Sequence, residues 1–253
     1  MLKLNNVTIK FGGLIAVNDV SIEVKEKCIY GLIGPNGAGK TTLFNIISGV
    51  YKPTSGEVLF KEKKISGLQP FQINQLGIAR TYQNINLFKS MTVLENVMVG
   101  RHSKSNSGLI SSILGTKSQR IEEKQISEKC KEILDFMNLS DKAEYLSKNL
   151  SYGEQRRLEI SRALACEPQI LLLDEPAAGM NSKEKEDLKD IIRKISDKGI
   201  TIIIVEHDMK LVMGITDAIS VLNYGKQIAF GEPKYIQNHP QVIEAYLGGS
   251  SNG

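Results

Sequence analysis

The amino-terminal part of the chain alternates between apolar and polar positions. The segments "MLKLNNVTIKF", "VSIEVKE" and "GEVLFKEKKI" place an apolar side chain at nearly every second position. Because successive side chains of a strand point to opposite faces, this alternation predicts half-buried strands that pair antiparallel.

Three later segments are apolar almost without interruption: "CIYGLIG" (28–34), "QILLLDEP" (169–176) and "ITIIIVEHD" (200–208). Such runs are typical of strands that are buried on both faces of a parallel sheet. The last two each follow a long helical pattern. The late part of the chain therefore predicts βα repeats around a parallel sheet.

The chain between about residue 85 and about residue 165 has a mostly helical pattern. Its middle, "GRHSKSNSGLISSILGTKSQR", is rich in serine and predicts a long loop or a short irregular helix. Two short helical segments, "PKYIQN" and "PQVIEAYLG", follow residue 231, and we expect the tail 249–253 to be disordered. We predict one α/β domain over 1–253, with a core of about 1–84 and 166–248 that includes an antiparallel β subdomain, and an inserted α-helical subdomain of about 85–165.

The composition excludes several classes of protein. A hydrophobic content of 41%, a charged content of 24% and a net charge of +4 with interleaved signs fit a globular protein that does not bind nucleic acid. The three cysteines lie far apart, which argues against disulfides and a zinc site. No apolar run approaches the ~18 residues of a membrane span, and no export signal is visible. We expect a soluble intracellular protein that acts at a membrane only through a partner.

A glycine-rich segment follows the first continuous apolar run. "GPNGAGKT" contains Gly34, four further residues and then Gly39-Lys40-Thr41, which is G-x-x-x-x-G-K-[ST] directly after a strand and at the start of a helix. Backbone N–H groups of such a loop wrap a phosphate, the lysine adds a positive charge, and the threonine hydroxyl can bind Mg²⁺. The predicted phosphate-binding residues are Asn36, Gly37, Ala38, Gly39, Lys40, Thr41 and Thr42, and the core is predicted to be a P-loop NTPase.

Acidic residues and a histidine end the other two continuous apolar runs. Asp174 and Glu175 follow "ILLL", at the edge of the sheet where ligands of open α/β folds bind. An aspartate there can hold Mg²⁺, and the glutamate can polarise an attacking water. His207 is delivered to the same edge, where it can contact a γ-phosphate, although a lone histidine is more often structural.

The segment "NLSYGEQRRLEISRAL" (149–164) begins a helix in an unusual way. Ser151 and Glu154 have the spacing of a capping box, in which each side chain accepts a hydrogen bond from the other residue's backbone N–H. Gly153 is not explained by capping, since glycine in a helix costs roughly 1 kcal/mol relative to alanine.

These motifs together resemble the ATPase subunits of ABC transporters, over about residues 2–248. No Asn-Lys-x-Asp tetrad for guanine is present, so a GTPase is not indicated. The resemblance implies ATP and Mg²⁺ as ligands, with Mg²⁺ held by Thr41, Gln83 and Asp174, and Glu175, His207 and Gln83 as catalytic residues. It also implies that Ser151 and Gly153 contact the ATP of a second ATPase in a head-to-tail dimer.

The resemblance assigns a role to Phe11, before Gly12-Gly13, as the aromatic residue that stacks on adenine; an ordinary strand-end aromatic in the core is the alternative. Gln83 in "RTYQNINLF" matches the glutamine that senses Mg²⁺ and water and couples to the membrane subunits. Three residues depart from the commonest family pattern: Tyr152, Glu154 and Asn181.

The carboxyl half, with "YGEQRRLEISRAL" and "DEPAAGMN", resembles the larger ATPase of branched-chain amino acid importers. This branch implies a distinct second ATPase, two transmembrane permease subunits and an extracytoplasmic substrate-binding protein, with the chain at the cytoplasmic face of the cell membrane. Urea or amide importers and lipopolysaccharide-type exporters share much of the pattern. Two hypotheses from different classes fit less well: a single cassette without a CxxC motif argues against a soluble ABC ATPase that acts on nucleic acid, and the presence of Glu175 and His207 argues against a regulatory subunit that does not hydrolyse ATP.

Overall fold

The computed structural model of the chain describes residues 1–101 and 117–247. It contains two compact units: the first combines Met1–Arg80 with the chain from Gln169 onward, and the second is Thr81–Pro168. The centre of the serine-rich stretch (102–116) and the tail predicted to be disordered lie outside the described residues.

The first unit contains an antiparallel sheet, as the alternating segments predict. Its strands are β1 (Leu2–Phe11), β2 (Leu14–Val24), β4 (Ser55–Phe60) and β5 (Lys63–Lys64), in the order β2-β1-β4-β5. The inward-facing side chains of β1 are buried in the core, and they are Leu2, Leu4, Val7 and Ile9. Burial of one face of the sheet accounts for the alternation.

A second sheet of the same unit has six strands in the order β10-β9-β3-β8-β7-β6. Its strands are β3 (Ile29–Ile33), β6 (Ile78–Arg80), β7 (Ile170–Asp174), β8 (Thr201–Val205), β9 (Ala218–Asn223) and β10 (Lys226–Gly231). Strands β9, β3, β8, β7 and β6 run parallel, and β10 pairs antiparallel with β9. Every residue of β3, β7 and β8 is buried, which confirms the interpretation of the continuous apolar runs.

The helices of the first unit are α1 (Lys40–Ile47), α2 (Pro70–Gln75), α6 (Ser182–Asp197), α7 (Met209–Ile215), α8 (Pro233–Gln237) and α9 (Pro240–Leu247). The last two are the short helices predicted after residue 231. Because β3, β8 and β7 are parallel neighbours, their carboxyl ends meet at one edge of the sheet. The chain leaves that edge through the glycine-rich loop, through Asp174 and through the residues after Val205.

The second unit is helical among its described residues. Its helices are α3 (Val93–Arg101), α4 (Lys117–Phe136) and α5 (Tyr152–Leu164), with 3-10 turns at Ser140–Lys142 and Ser147–Asn149. Helix α3 packs against both α4 and α5. Side chains from several of these segments are buried in this unit, among them Val97, Leu134, Met137 and Leu158.

Candidate active site

The glycine-rich loop connects β3 to α1 in a conformation that only glycine allows at two positions. Gly34 has φ 151° and Gly39 has φ 100°. A Cβ at Gly34 would lie 2.1 Å from the carbonyl oxygen of Leu222, and one at Gly39 would lie 2.6 Å from that of Ala16. Both backbone segments therefore need the absence of a side chain to reach their neighbours.

Lys40 is held inside this loop. Its Nζ donates hydrogen bonds to the carbonyl oxygens of Gly34 at 2.7 Å and Pro35 at 2.9 Å, and the residue is only 6% exposed. Burial lowers the pKa of Lys40, against the opposing effect of the nearby Glu175 and Asp174 carboxylates. The ammonium group is thus placed close to both acidic residues.

The other predicted loop residues differ in accessibility. Asn36, Gly37 and Thr41 are exposed, whereas Thr42 is partly buried. Ala38 is buried, and its N–H donates to the carbonyl oxygen of Pro35 at 3.2 Å. The exposed side of the loop and the first turn of α1 can therefore meet a ligand from solvent.

Asp174 is the last residue of β7 and is 1% exposed. Its Oδ2 accepts a hydrogen bond from Arg80 Nη2 at 2.8 Å, whereas its Oδ1 is buried and has no hydrogen-bond partner among the described residues. A buried carboxylate oxygen without a partner is costly in a folded protein unless a ligand uses it.

Arg80, at the end of β6, was not predicted from the sequence. Its Nη1 donates to Asn45 Oδ1 at 2.7 Å and to Ser48 Oγ at 2.8 Å, both of which are on or next to α1. The guanidinium group also lies over the Phe44 ring, 5.6 Å from its centroid. Arg80 thus links the helix after the glycine-rich loop to Asp174.

Glu175 and His207 lie together, as predicted for the shared edge of the sheet. His207 Nε2 is 2.7 Å from Glu175 Oε1, within hydrogen-bond distance. Glu175 has φ 47°, a left-handed conformation that is rare outside glycine and common at functional sites. Its N–H donates to the carbonyl oxygen of Val205 at 2.9 Å, which ties it to the end of β8.

A third acid at this edge, Glu206, was also absent from the prediction. It is 3% exposed and accepts hydrogen bonds from the backbone N–H groups of Ala177 at 2.7 Å and His207 at 3.0 Å. Burial raises the pKa of Glu206, and the charge of Glu175 adds to the effect. The segment "VEHD" does not reveal this role, because the sequence alone does not distinguish a buried glutamate beside a histidine from an exposed one.

Phe11 ends β1 and is 43% exposed, which excludes the alternative that it is a core aromatic. Its ring meets that of Tyr51 edge to face, with 5.2 Å between the centroids. An aromatic face is therefore accessible from solvent on the first unit.

In the second unit, α5 begins with the predicted capping box. The Glu154 side chain accepts from the Ser151 N–H at 2.8 Å, and Ser151 Oγ accepts from the Glu154 N–H at 3.4 Å. Glu154 also pairs with Lys142. Ser151 and Tyr152 are exposed at this helix start, whereas Gly153 is buried.

Gln83 lies in the exposed segment before α3, also in the second unit. Buried Arg156 of α5 donates to the carbonyl oxygens of Tyr82, at 2.7 Å, and of Gln83. The backbone at Tyr82 and Gln83 is thus hydrogen-bonded to helix α5, which Ser151 caps.

Asn181, one of the three departures from the family pattern, caps α6. Its Oδ1 accepts from the Glu184 N–H at 3.0 Å, and the Glu184 side chain accepts from the Asn181 N–H at 2.9 Å.

Within the described ranges no three potential metal-binding His, Cys, Asp or Glu residues cluster. No helix there is both long and apolar enough to cross a membrane.

Comparison with known proteins places these features in a family. The ABC transporter family model matches residues 17–178, and the model for the branched-chain amino acid ATP-binding cassette transporter matches residues 226–251. The high-affinity branched-chain amino acid transport ATP-binding protein LivG of Salmonella typhimurium is 46% identical over 249 residues, with 98% of each chain covered.

Two solved structures extend the comparison. The ADP conformation of MJ1267, an ATP-binding cassette of an ABC transporter, superimposes with a TM-score of 0.86 at 35% identity, with 98% of each chain covered. A dimeric post-hydrolysis state of the cassette MJ0796, bound to ADP and Pi, matches with a TM-score of 0.75 at 29% identity, over 92% of this chain and 99% of that one. The predicted α/β P-loop fold is confirmed, and the chain belongs to the ABC transporter family of ATP-binding ATPases.

Proposed function

We propose that this chain is the ATP-hydrolysing subunit of a membrane ABC transporter that imports branched-chain or related amino acids. The proposal of ATP hydrolysis rests on the 2.7 Å distance between His207 Nε2 and Glu175 Oε1, at the edge of the sheet where Asp174 also lies. The transport part rests on the nearly full-length similarity to LivG.

In the proposed site, ATP binds to the exposed side of the glycine-rich loop. Lys40 and the start of α1 attract the phosphates, with contacts from Asn36, Gly37, Ala38, Gly39, Thr41 and Thr42. The accessible ring of Phe11 stacks on the adenine.

The residues present fit a bound Mg²⁺ ion. Asp174 Oδ1 is a buried carboxylate oxygen without a partner among the described residues, and Thr41 offers a hydroxyl at the first turn of α1. Mg²⁺ is usually held by one or two protein oxygens together with phosphates, so a larger ligand cluster is not needed. Asp174 and Thr41 would hold the ion, which supplies charge neutralisation for the phosphates when bound.

Glu175 orients a water molecule for in-line attack on the γ-phosphorus. The water oxygen bonds to the phosphorus while the bond to the β,γ-bridging oxygen breaks, Glu175 accepts the proton that the water loses, and ADP and inorganic phosphate leave. His207, beside Glu175, steadies the γ-phosphate. The left-handed backbone of Glu175 fixes the direction from which its carboxylate acts.

The partners follow from the same proposal. A second ABC ATPase, a distinct homologue, would close head to tail over the nucleotide with its own serine and glycine at a helix start, equivalent to Ser151 and Gly153. The similar MJ0796 cassette is a dimer in its solved structure, which supports the pairing of two cassettes. Two transmembrane permease subunits would hold the chain at the cytoplasmic face of the membrane, and an extracytoplasmic binding protein would deliver the cargo.

The experiment compares wild type with Glu175→Gln in the complex gently solubilised from native membranes. We expect two membrane subunits and a second ATPase to co-purify, and the variant to bind ATP, to hydrolyse it at least about 100-fold more slowly and to accumulate a closed dimer. Phosphate release and size-exclusion chromatography measure both effects.

Three outcomes would contradict the proposal. Wild-type turnover in Glu175→Gln would remove the role of Glu175. If no second ATPase co-purified and the membrane subunits resembled those of exporters, the transporter would be an exporter. A receptor that binds urea or short amides instead of amino acids would change the cargo.

A further inference from the structure

Glu206 makes contacts that neither the family motifs nor the proposed mechanism uses. Its two carboxylate oxygens bind different segments: Oε1 accepts from Ala177 N–H, and Oε2 accepts from His207 N–H. Ala177 lies two residues after Glu175, in the loop that follows β7. One side chain therefore holds the backbone of both loops whose side chains meet in the Glu175–His207 pair.

The burial of Glu206 argues for a specific reason to keep a carboxylate there. The residue is 3% exposed, and placing an ionisable group in such surroundings is costly unless it is well hydrogen-bonded. Two N–H groups that approach from different loops need two acceptor atoms, which a carboxylate offers and an amide does not. The nearby charge of Glu175 makes the ionised form less favourable still.

The Glu175 backbone needs this support. Its left-handed conformation persists only where neighbouring contacts impose it. Here, the Glu175 N–H donates a hydrogen bond to the Val205 carbonyl oxygen, and the Ala177 N–H donates one to the Glu206 carboxylate. Both attachments lead to the end of β8, from which His207 also projects.

We propose that Glu206 is a positioning residue for hydrolysis, one that sets the distance between Glu175 and His207 by binding the backbone of both loops. This proposal rests on the ATPase mechanism above and adds a residue to it. Glu206 does not touch the nucleotide; it acts through the pair.

Glu206→Gln tests the proposal because it keeps the size of the side chain and leaves one acceptor oxygen. We expect kcat of the assembled transporter to fall about 10- to 100-fold, the range for a lost hydrogen bond to a charged group, with nucleotide affinity unchanged. Asp217→Asn is the matched control, since the Asp217 carboxylate also accepts a backbone N–H, from Ile29 at 2.8 Å, at the opposite end of β3.

A second measurement does not depend on turnover. The chain has three histidines, so the ring nitrogen resonances of His207 can be assigned by NMR in the full chain. We expect them to shift in Glu206→Gln and to stay unchanged in Asp217→Asn. In a His207→Ala background, Glu206→Gln should lower the residual single-turnover rate much less than it does in wild type.

Normal kcat and unchanged His207 resonances in folded Glu206→Gln would overturn the proposal, and so would an equal loss of rate with and without His207. If Glu206→Gln does not fold, Glu206→Asp is the substitute, because it keeps the charge but is too short to reach both N–H groups; full activity there would also overturn it. Failure of the wild-type complex to hydrolyse ATP would instead refute the proposed function.

Discussion

Arg80 and Asp174 form an ion pair that is almost completely shielded from water, with side-chain exposures of 7% and 2%. A pair of this kind is tolerated only when further hydrogen bonds satisfy the remaining polar atoms. Arg80 Nη1 obtains such bonds from Asn45 and Ser48, whereas Asp174 keeps one oxygen without a partner among the described residues. The arginine therefore orients the aspartate and leaves its second oxygen for a ligand.

Arg80→Lys should weaken the use of Mg²⁺ more than the binding of nucleotide. A lysine keeps the charge but lacks the planar fork that reaches three partners at once. We expect the Mg²⁺ concentration for half-maximal nucleotide binding to rise about tenfold, while binding in the presence of EDTA stays the same. Fluorescence titration with a nucleotide analogue measures both, and Arg193→Lys on α6 is the control. An unchanged Mg²⁺ requirement would refute the orienting role.

At the scale of elements, paired side chains begin three of the described helices. Capping boxes begin α2, α5 and α6, formed by Gln69 with Gln72, Ser151 with Glu154, and Asn181 with Glu184. This arrangement gives a structural reason for Glu154 and Asn181, two of the departures from the family pattern. Both positions serve the helix that they begin.

Asn181→Ala should remove the cap of α6 and lower the free energy of unfolding by about 1 kcal/mol. For a chain of this size the melting temperature would fall by roughly 2–4 °C. Asn181→Asp should unfold like wild type, because aspartate caps equally well, and Ser182→Ala provides an exposed neighbour as control. Thermal unfolding followed by circular dichroism measures the shifts; equal melting temperatures for all four proteins would exclude the capping role.

Features that depend on contacts between residues close in the sequence could be predicted, whereas features that depend on contacts between distant residues could not. The Ser151 capping box and the glycine-rich loop are encoded within a few residues, and both were predicted. Strand β6 was not, because its three residues are fixed by pairing with β7, with Ile78 opposite Ile170. Arg80 and Glu206 were missed for the same reason, since their partners Asp174 and Ala177 lie far away in the chain.

At the scale of the whole molecule, the predicted site residues are divided between the two units. The phosphate loop, Asp174, Glu175 and His207 belong to the first unit, and Gln83, Ser151 and Gly153 belong to the second. Under the proposed dimer, Ser151 would act on the nucleotide of the other ATPase. Ser151 is exposed, and its hydroxyl serves the cap as an acceptor, which leaves the hydroxyl proton available for donation.

Ser151→Asp separates the two roles of this residue. Aspartate is a good helix cap, so α5 and nucleotide binding by the isolated chain should be unaffected. In the assembled transporter the carboxylate would face a γ-phosphate, and we expect cooperative ATP hydrolysis to fall by at least about 100-fold. Ser140→Asp makes the same change at another exposed turn of the second unit. Normal hydrolysis in the assembled Ser151→Asp complex would show that this helix start does not contact the partner's nucleotide.

Two hydrogen bonds from Lys40 fix the shape of the phosphate loop. An ammonium group has three N–H donors, and the carbonyl oxygens of Gly34 and Pro35 already occupy two of them. One donor remains for a phosphate, so the lysine loses little rotational freedom when nucleotide binds. The entropy of ordering this side chain is therefore lost during folding, and the ordering of Lys40 itself should add nothing to the heat-capacity change of nucleotide binding.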